Sequence, residues 1–190
     1  MKDRNIRELL RKTELQSYIN DPHSKVVEEL KLPVAKARID IAVINGHLHG
    51  FEIKSASDTL HRLPSQIVAY SKVFDYLTVV TEAKYYDRIE LPEWVGLAVC
   101  SDKPGESEFE MLTPPLLNTN INGFYLAQLL WHSELVEVLQ EQNILFKKQQ
   151  RNWLLCEKLA DNLDVSVLSM LVREQIKKRQ AWKLLKEANN

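Results

Sequence analysis

Glycine is scarce in this chain: five in 190 residues, with none in the spacing that cradles phosphate in a Walker or dinucleotide loop. A nucleotide-binding α/β enzyme is therefore left without support. Cysteine is scarcer still. Cys100 and Cys156 lie far apart and form no metal-ligating motif, so the expectation is a reduced, cytoplasmic protein. No apolar run approaches the length of a membrane span, and the N-terminus opens with the charged Met1-Lys2-Asp3-Arg4 and shows no apolar signal core. No membrane partner is expected. Charge of one sign is also missing: the formal net charge is -1, so any attraction for nucleic acid must come from a local basic surface. What remains, 45% hydrophobic and 27% charged residues, is the make-up of a globular protein of one domain or one domain with an extension.

Periodicity divides the chain. Ile6, Leu9, Leu10 and Thr13 recur at helical spacing, which predicts an amphipathic helix from Asp3 to about Tyr18. After the Asn20-Asp21-Pro22 break, Ser24 is placed to cap a short helix through Val26, Val27 and Leu30, carrying Glu28 and Glu29. From Ala37 the period becomes two: Ile39, Ile41 and Val43 alternate with Arg38, Asp40 and Ala42, and beyond Asn45-Gly46 the alternation resumes through Lys54. Ser55 to Thr59 reads as a loop, Leu63 to Phe74 as a helix, and Tyr76 to Val80 and Val95 to Cys100 as strands, with Glu108 to Met111 a possible edge strand. Past Pro114-Pro115 the pattern is helical: Ile121 to Trp131, Glu134 to Gln142, Lys148 to Leu159 and Val165 to about Leu185. The expected organisation is an α/β core over residues 1–113 and a helical extension or cap, packed on the core, over 114–190.

The residues that carry chemistry lie on the hairpin. A two-residue loop at Asn45-Gly46 would put Asp40 and Glu52 on opposite faces of the sheet. A three-residue loop, for example Ile44 to Gly46 with Gly46 left-handed, would bring Arg38, Asp40, Glu52 and Lys54 to one face and leave Ile39, Ile41, Val43, Phe51 and Ile53 on the other. That cleaner segregation predicts an odd-length loop. Two carboxylates side by side repel, and a hard cation relieves the repulsion. Asp40, Glu52 and the carbonyl of Ile53 would suit Mg²⁺, with Mn²⁺ expected to substitute, and would leave room for a phosphate and an attacking water. Lys54 would orient that water or neutralise developing charge. Glu29, on the preceding helix, would complete the metal shell, with Glu28 as the alternative acid.

Asp40 followed by Glu52-Ile53-Lys54 resembles the signature of the PD-(D/E)XK, or restriction-endonuclease-like, nucleases. Gln66-Ile67-Val68-Ala69-Tyr70 is similar to the Gln-x-x-x-Tyr motif of the RecB-like branch, whose helix lines the substrate groove. Residues from Val26 to Cys100 also resemble a group of small bacterial and phage proteins that share Arg38 to Asp40, Gly50 to Ser55 and Asp58 to Leu63, as do Leu130-Trp131 and Arg179 to Trp182 in the tail. Ile39 stands where the superfamily's nominal proline would be. The resemblance implies an α-β-β-β-α-β mixed sheet flanked by helices, with a C-terminal helical region. It implies Mg²⁺-dependent hydrolysis of phosphodiester bonds, with DNA the first expected substrate and RNA left open, and a homodimer is compatible with it. Asp40, Glu52 and Lys54 would be catalytic, Glu29, Asp40, Glu52 and Ile53 would hold metal, and Gln66 and Tyr70 would meet substrate; Arg38 and Arg62 flank the site and read equally as substrate-phosphate contacts or as ion pairs with neighbouring acids.

Other candidates read more plainly. His47 and His49, next to a turn, read as solvated surface, and His23 and His61 have no obvious partners. Tyr85, Tyr86 and Trp94 read as packing around the sheet, and Trp131, Trp153 and Trp182 as core anchors of amphipathic helices. From Glu141 onward, ten Lys and Arg face six Asp and Glu, a mildly basic tail whose Lys177-Lys178-Arg179 run reads as a solvated helix face or a nucleic-acid track. Against the nuclease stands a second class of function, the same fold used for binding or assembly without turnover.

Overall fold

A computed structural model of the chain describes residues 3–55, 60–82, 86–103 and 106–179, with the side chains at 102, 103 and 106–108 left aside. Asp58 and Thr59, Tyr85, and the tail residues beyond Arg179, Trp182 among them, lie outside the described residues. The chain divides into two compact units, Met1–Asn120 and Ile121–Asn190. The break falls later than residue 113 because the intervening segment is bonded to the first unit. Leu116 N–H donates to the Trp94 carbonyl at 3.0 Å, and the Asn118 amide donates to the Ser71 and Phe74 carbonyls at 2.7 and 2.8 Å.

The first unit is built on a six-stranded mixed sheet in the order β1 to β6. Two helices, α1 (Asp3–Lys12) and α2 (Gln16–Asn20), precede β1 (Lys25–Lys31), β2 (Arg38–Ile44) and β3 (Leu48–Lys54). Helix α3 (Leu63–Tyr70) then crosses over to β4 (Tyr76–Glu82), which is followed by β5 (Val95–Lys103) and β6 (Glu106–Thr113). β2 runs antiparallel to both β1 and β3, while β3, β4 and β5 run parallel and β6 returns antiparallel. The α1–α2 side of the sheet is apolar: Ile6, Leu9, Leu10 and Leu15 pack against Ile41, Val43, Phe51, Ile53 and Val80. At β5, a Cβ on Gly96 would meet the Pro115 ring and backbone nitrogen at 2.8 Å, so only glycine lets the chain leave β6 across this strand.

Three local expectations fail here. The single N-terminal helix is two, because Leu15 N–H turns back to the Leu10 carbonyl at 2.9 Å and Leu15 is buried. The helix expected through Val26 and Leu30 is strand β1. Its helix-like spacing of buried Val27 and Leu30 arises from Glu29, whose left-handed φ of 55° interrupts the alternation. Asp21, accepting from the Ser24 hydroxyl at 2.6 Å and the His23 N–H at 2.9 Å, makes the preceding turn instead of a cap. The 63–74 helix is regular only to Tyr70.

The hairpin loop has the odd length that segregation of the faces demands, but it is Asn45-Gly46-His47, with Ile44 paired to Leu48. Asn45 Oδ1 accepts from His47 N–H at 2.9 Å, so an Asx turn sets the loop and Gly46 is not left-handed. Ile39 departs from its expected face: its Cγ1 and Cδ1 lie 3.3 Å from where a Cβ of Gly50 would sit, on the Glu52 side of β3.

The second unit contains α4 (Gly123–Ala127), α5 (His132–Glu141), α6 (Asn152–Asn162) and α7 (Val165–Lys178). Leu126, Leu135, Val138, Leu139, Leu155, Cys156, Leu159, Leu168, Val172 and Ile176 are buried. Trp131 and Trp153 are not core anchors, being about half exposed at 47% and 49%. Arg179 is not on a solvated face but buried. No helix among the described residues is long and apolar enough to cross a membrane.

Candidate active site

The site forms where β2 and β3 part. Continuing the hairpin register would set Asp40 opposite Glu52, but the ladder stops one step earlier, at Ile41–Phe51. Beyond that point the Asp40 side chain takes over the role of a backbone acceptor, its Oδ2 accepting from Ile53 N–H at 2.8 Å. Because the N–H and C=O of one strand residue point to the same edge, the Ile53 carbonyl also faces this fork.

Glu52, 3% exposed, is fixed from three sides. Its Oε1 accepts from Lys54 Nζ at 2.7 Å and Gln66 Nε2 at 2.8 Å, and its Oε2 accepts from the Tyr70 hydroxyl at 2.7 Å. Lys54 Nζ also donates to Gln66 Oε1 at 2.9 Å. Two of its three N–H groups are thus used within the protein, and the third is available at the cavity. Gln66 and Tyr70, expected to meet substrate, hold Glu52 and Lys54 in place in this structure. Tyr70 is fully buried, its hydroxyl 3.0 Å from the Arg38 carbonyl, and burial followed by the nearby Glu52 charge raises its pKa above the ordinary phenol value.

The Asp40 side holds a residue that sequence reasoning missed. Arg7, on α1, donates to Asp40 Oδ1 at 2.6 Å, to the Asp40 carbonyl at 3.2 Å, to Glu29 Oε1 at 2.8 Å and to Asp3 Oδ1 at 2.5 Å. Burial opposes the Arg7 charge, but the Asp3 hydrogen bond and the Asp40 and Glu29 charges outweigh it and raise the guanidinium pKa. The Asp40 carboxyl is pushed up to about 6, first by burial and next by repulsion from Glu52, with the Ile53 N–H and Arg7 only partly offsetting this. Glu29 is the acid that reaches this group, while Glu28 pairs with Arg11. Arg38 Nε lies 2.6 Å from Glu29 Oε2, yet that buried oxygen receives no aligned hydrogen bond.

Asp40, Glu52, Ile53, Lys54, Arg38, Arg62 and Gln66 all line one cavity of about 840 Å³. Glu29 and Tyr70 stand behind it. Its charged lining comprises the cations Lys31, Lys36, Arg38, Lys54 and Arg62 against the acids Asp3, Asp40 and Glu52. Lys31 and Lys36 were not anticipated; the end of β1 and the loop that joins it to β2 bring them to the cavity. Ala35 and Lys36 both take left-handed φ values there, 51° and 52°.

The histidines split. His47 is exposed, but His49 is not solvated: it stacks on Phe51 at 4.2 Å, contacts Thr78 Oγ1 at 2.9 Å, and burial lowers its pKa to about 4. His61 is exposed, and Tyr86, 42% exposed, does not pack as expected. Among the described residues no group of three or more His, Cys, Asp or Glu is arranged to hold a metal ion. The four residues expected to do so do not converge as a set, because Arg7 lies between Glu29 and Asp40. Their donor chemistry nevertheless fits a hard cation: two repelling carboxylates, a carbonyl facing the same fork and a buried Glu29 oxygen without an aligned donor.

A family model described as bacteriophage P4 protein cII matches residues 3–189. The chain belongs to the bacteriophage P4 protein cII family. Protein cII of Enterobacteria phage P4 is 27% identical over 156 residues, which are 81% of this chain and 59% of that protein, so the chain spans about three-fifths of the length of this relative. Among solved structures, the SPO1766 protein of unknown function from Silicibacter pomeroyi is similar at 16% identity and a TM-score of 0.43, over 68% of this chain and 83% of that one. Neither description speaks of an activity.

Proposed function

We propose that this cII-family chain is a Mg²⁺-dependent nuclease of the restriction-endonuclease-like class that hydrolyses phosphodiester bonds in DNA. The observation that carries the reading is the convergence of Asp40, Glu52 and Lys54 on one cavity at the fork between β2 and β3. The order α1–α2, β1, β2, β3, α3, β4 supports it, since with α1 and α2 taken together as the first helical element it follows the α-β-β-β-α-β succession of that class.

Asp40, Glu52, the Ile53 carbonyl and Glu29 would hold the ion. A bound divalent ion supplies a water of lowered pKa and neutralises charge on the phosphate. Glu52 is already aligned, since Tyr70, Gln66 and Lys54 fix both of its oxygens. Lys54 offers its remaining N–H to a water or phosphate oxygen beside Glu52. Arg38, Arg62, Lys31 and Lys36 on the cavity wall would take the flanking phosphates.

The test is cleavage of plasmid and single-stranded DNA with Mg²⁺ or Mn²⁺. Asp40→Ala and Lys54→Ala are expected to lose roughly 10²-fold or more of the rate with circular dichroism unchanged. Equal behaviour of wild type and both variants would refute the assignment. A second reading, nucleic-acid binding or assembly without turnover, is favoured by one observation: Arg7 already neutralises Asp40 and Glu29. Binding without cleavage, and no heat of metal binding, is its signature.

A further inference from the structure

The Arg7 guanidinium bonds the same two carboxylates, Asp40 and Glu29, that a divalent ion at this site needs. It also reaches the Asp40 backbone carbonyl where the β2–β3 ladder has ended, and its side chain is only 17% exposed. The carboxylate it engages on β1 belongs to a residue in left-handed backbone, a conformation that costs a non-glycine residue free energy and persists where its surroundings impose it. Asp3, one turn earlier on α1, anchors the guanidinium from behind. Taken together, a positive charge has been delivered from a separate helix into the acidic fork, on the Asp40 side, while Lys54 pairs with Glu52.

We infer that Arg7 is an internal counter-cation: it holds Asp40 and Glu29 together in the metal-free protein and competes with a divalent ion for them. The inference rests on the proposed reading of Asp40 as a metal ligand, and it adds a control on that site. Metal loading then requires Arg7 to withdraw along with its contacts to α1. Affinity for the ion is set by the difference between the two cations' interactions, since both need the same oxygens.

Calorimetry with Mn²⁺ alone, in the absence of nucleic acid, tests this without recourse to activity. Arg7→Gln keeps hydrogen-bonding capacity and removes the charge, and is expected to bind Mn²⁺ roughly tenfold or more tighter than wild type, the scale on which residues behind the ligands tune metal affinity. Arg7→Lys, which retains a charge but not the fork of donors, should fall between them and serves if Arg7→Gln does not fold. Adding Asp40→Asn to Arg7→Gln should abolish the gain. In EDTA the melting temperature of Arg7→Gln should drop, and Mn²⁺ should restore it. Wild-type binding that is unchanged or weakened in both folded Arg7 variants overturns the inference while leaving the nuclease reading intact. Absence of Mn²⁺ binding from wild type and variants alike overturns both.

Discussion

In the α/β unit, buried Glu52 meets Lys54, Gln66 and Tyr70 at the wall of an open cavity, and beside it Asp40 holds a carboxyl pushed up to about 6. In the helical unit, buried Glu134 meets Arg179 at 2.7 and 2.5 Å, accepts from Trp131 N–H at 2.7 Å and thereby caps α5. Arg179 completes that cluster by donating to the Leu129 carbonyl at 2.7 Å and lying 4.3 Å over the Trp131 ring. Both clusters bury an acid with a base, yet they differ in balance. In the Glu134 cluster each carboxylate oxygen has a donor, and the cation faces both of them. The fork between β2 and β3 gathers Asp3, Glu29, Asp40 and Glu52 around Arg7, Lys54 and Arg38, and the Asp40 pKa is raised there first by burial and next by repulsion from Glu52. Buried charge that is satisfied serves the fold; buried charge that is unbalanced and open to a cavity is available for chemistry.

The sharpest way to break this contrast is to exchange the consequences of removing each base. Lys54→Ala should abolish cleavage, as described above. Arg179→Met should instead leave cleavage untouched and cost about 3–5 kcal/mol of stability by stranding Glu134 in the interior. Urea denaturation measures it, and a loss of cleavage without a loss of stability would erase the distinction. A smaller effect is expected from Tyr70→Phe, which removes the donor to Glu52 Oε2 and should cost roughly 1.5–3 kcal/mol by the same measurement.

The pH dependence of stability sharpens the contrast further. Asp40 has a folded-state pKa of about 6, above its ordinary value of 3.8, so the folded protein holds the extra proton between these limits. Its contribution to stability is therefore greatest at the acid end and is lost as pH rises through about 6. Thermal melts in EDTA should show wild type losing stability relative to Asp40→Asn across that window. His49 acts in the opposite sense: its pKa, lowered to about 4 by burial, makes the folded state lose stability as pH falls below 6.5. A melting curve for Asp40→Asn parallel to wild type would contradict the buried repulsion. The smallest expected effect belongs to the cavity rim. Removing Lys31 and Lys36 together should weaken oligonucleotide binding in EDTA equally for all sequences and reduce the salt slope by about 2.

Much of the core was legible. Alternation placed β2 and β3, β-rich and apolar runs placed β4 and β5, and the parity argument required the odd-length hairpin that the structure contains. Beyond these, local pattern failed where a single residue altered the period. Glu29 in left-handed backbone spaced Val27 and Leu30 three apart, the same spacing a helix would give. Arg7 was illegible for a different reason: Asp3 and Arg7 form an ordinary i, i+4 pair on the polar face of a helix, and no local signal tells which strand edge that face will meet.

The sequence by itself determined which residues share a face along β3, because side chains alternate with period two wherever a strand is regular. It also determined the side-chain neighbours Glu52 and Lys54, two apart on β3, and Gln66 and Tyr70, four apart on α3. Only the tertiary structure decided that Gln66 and Tyr70 brace Glu52, that the β2–β3 ladder ends before Asp40, and that a guanidinium from α1 enters the gap. Those outcomes depend on how far apart strands splay and where a helix comes to rest, and both are set by packing between segments distant along the chain.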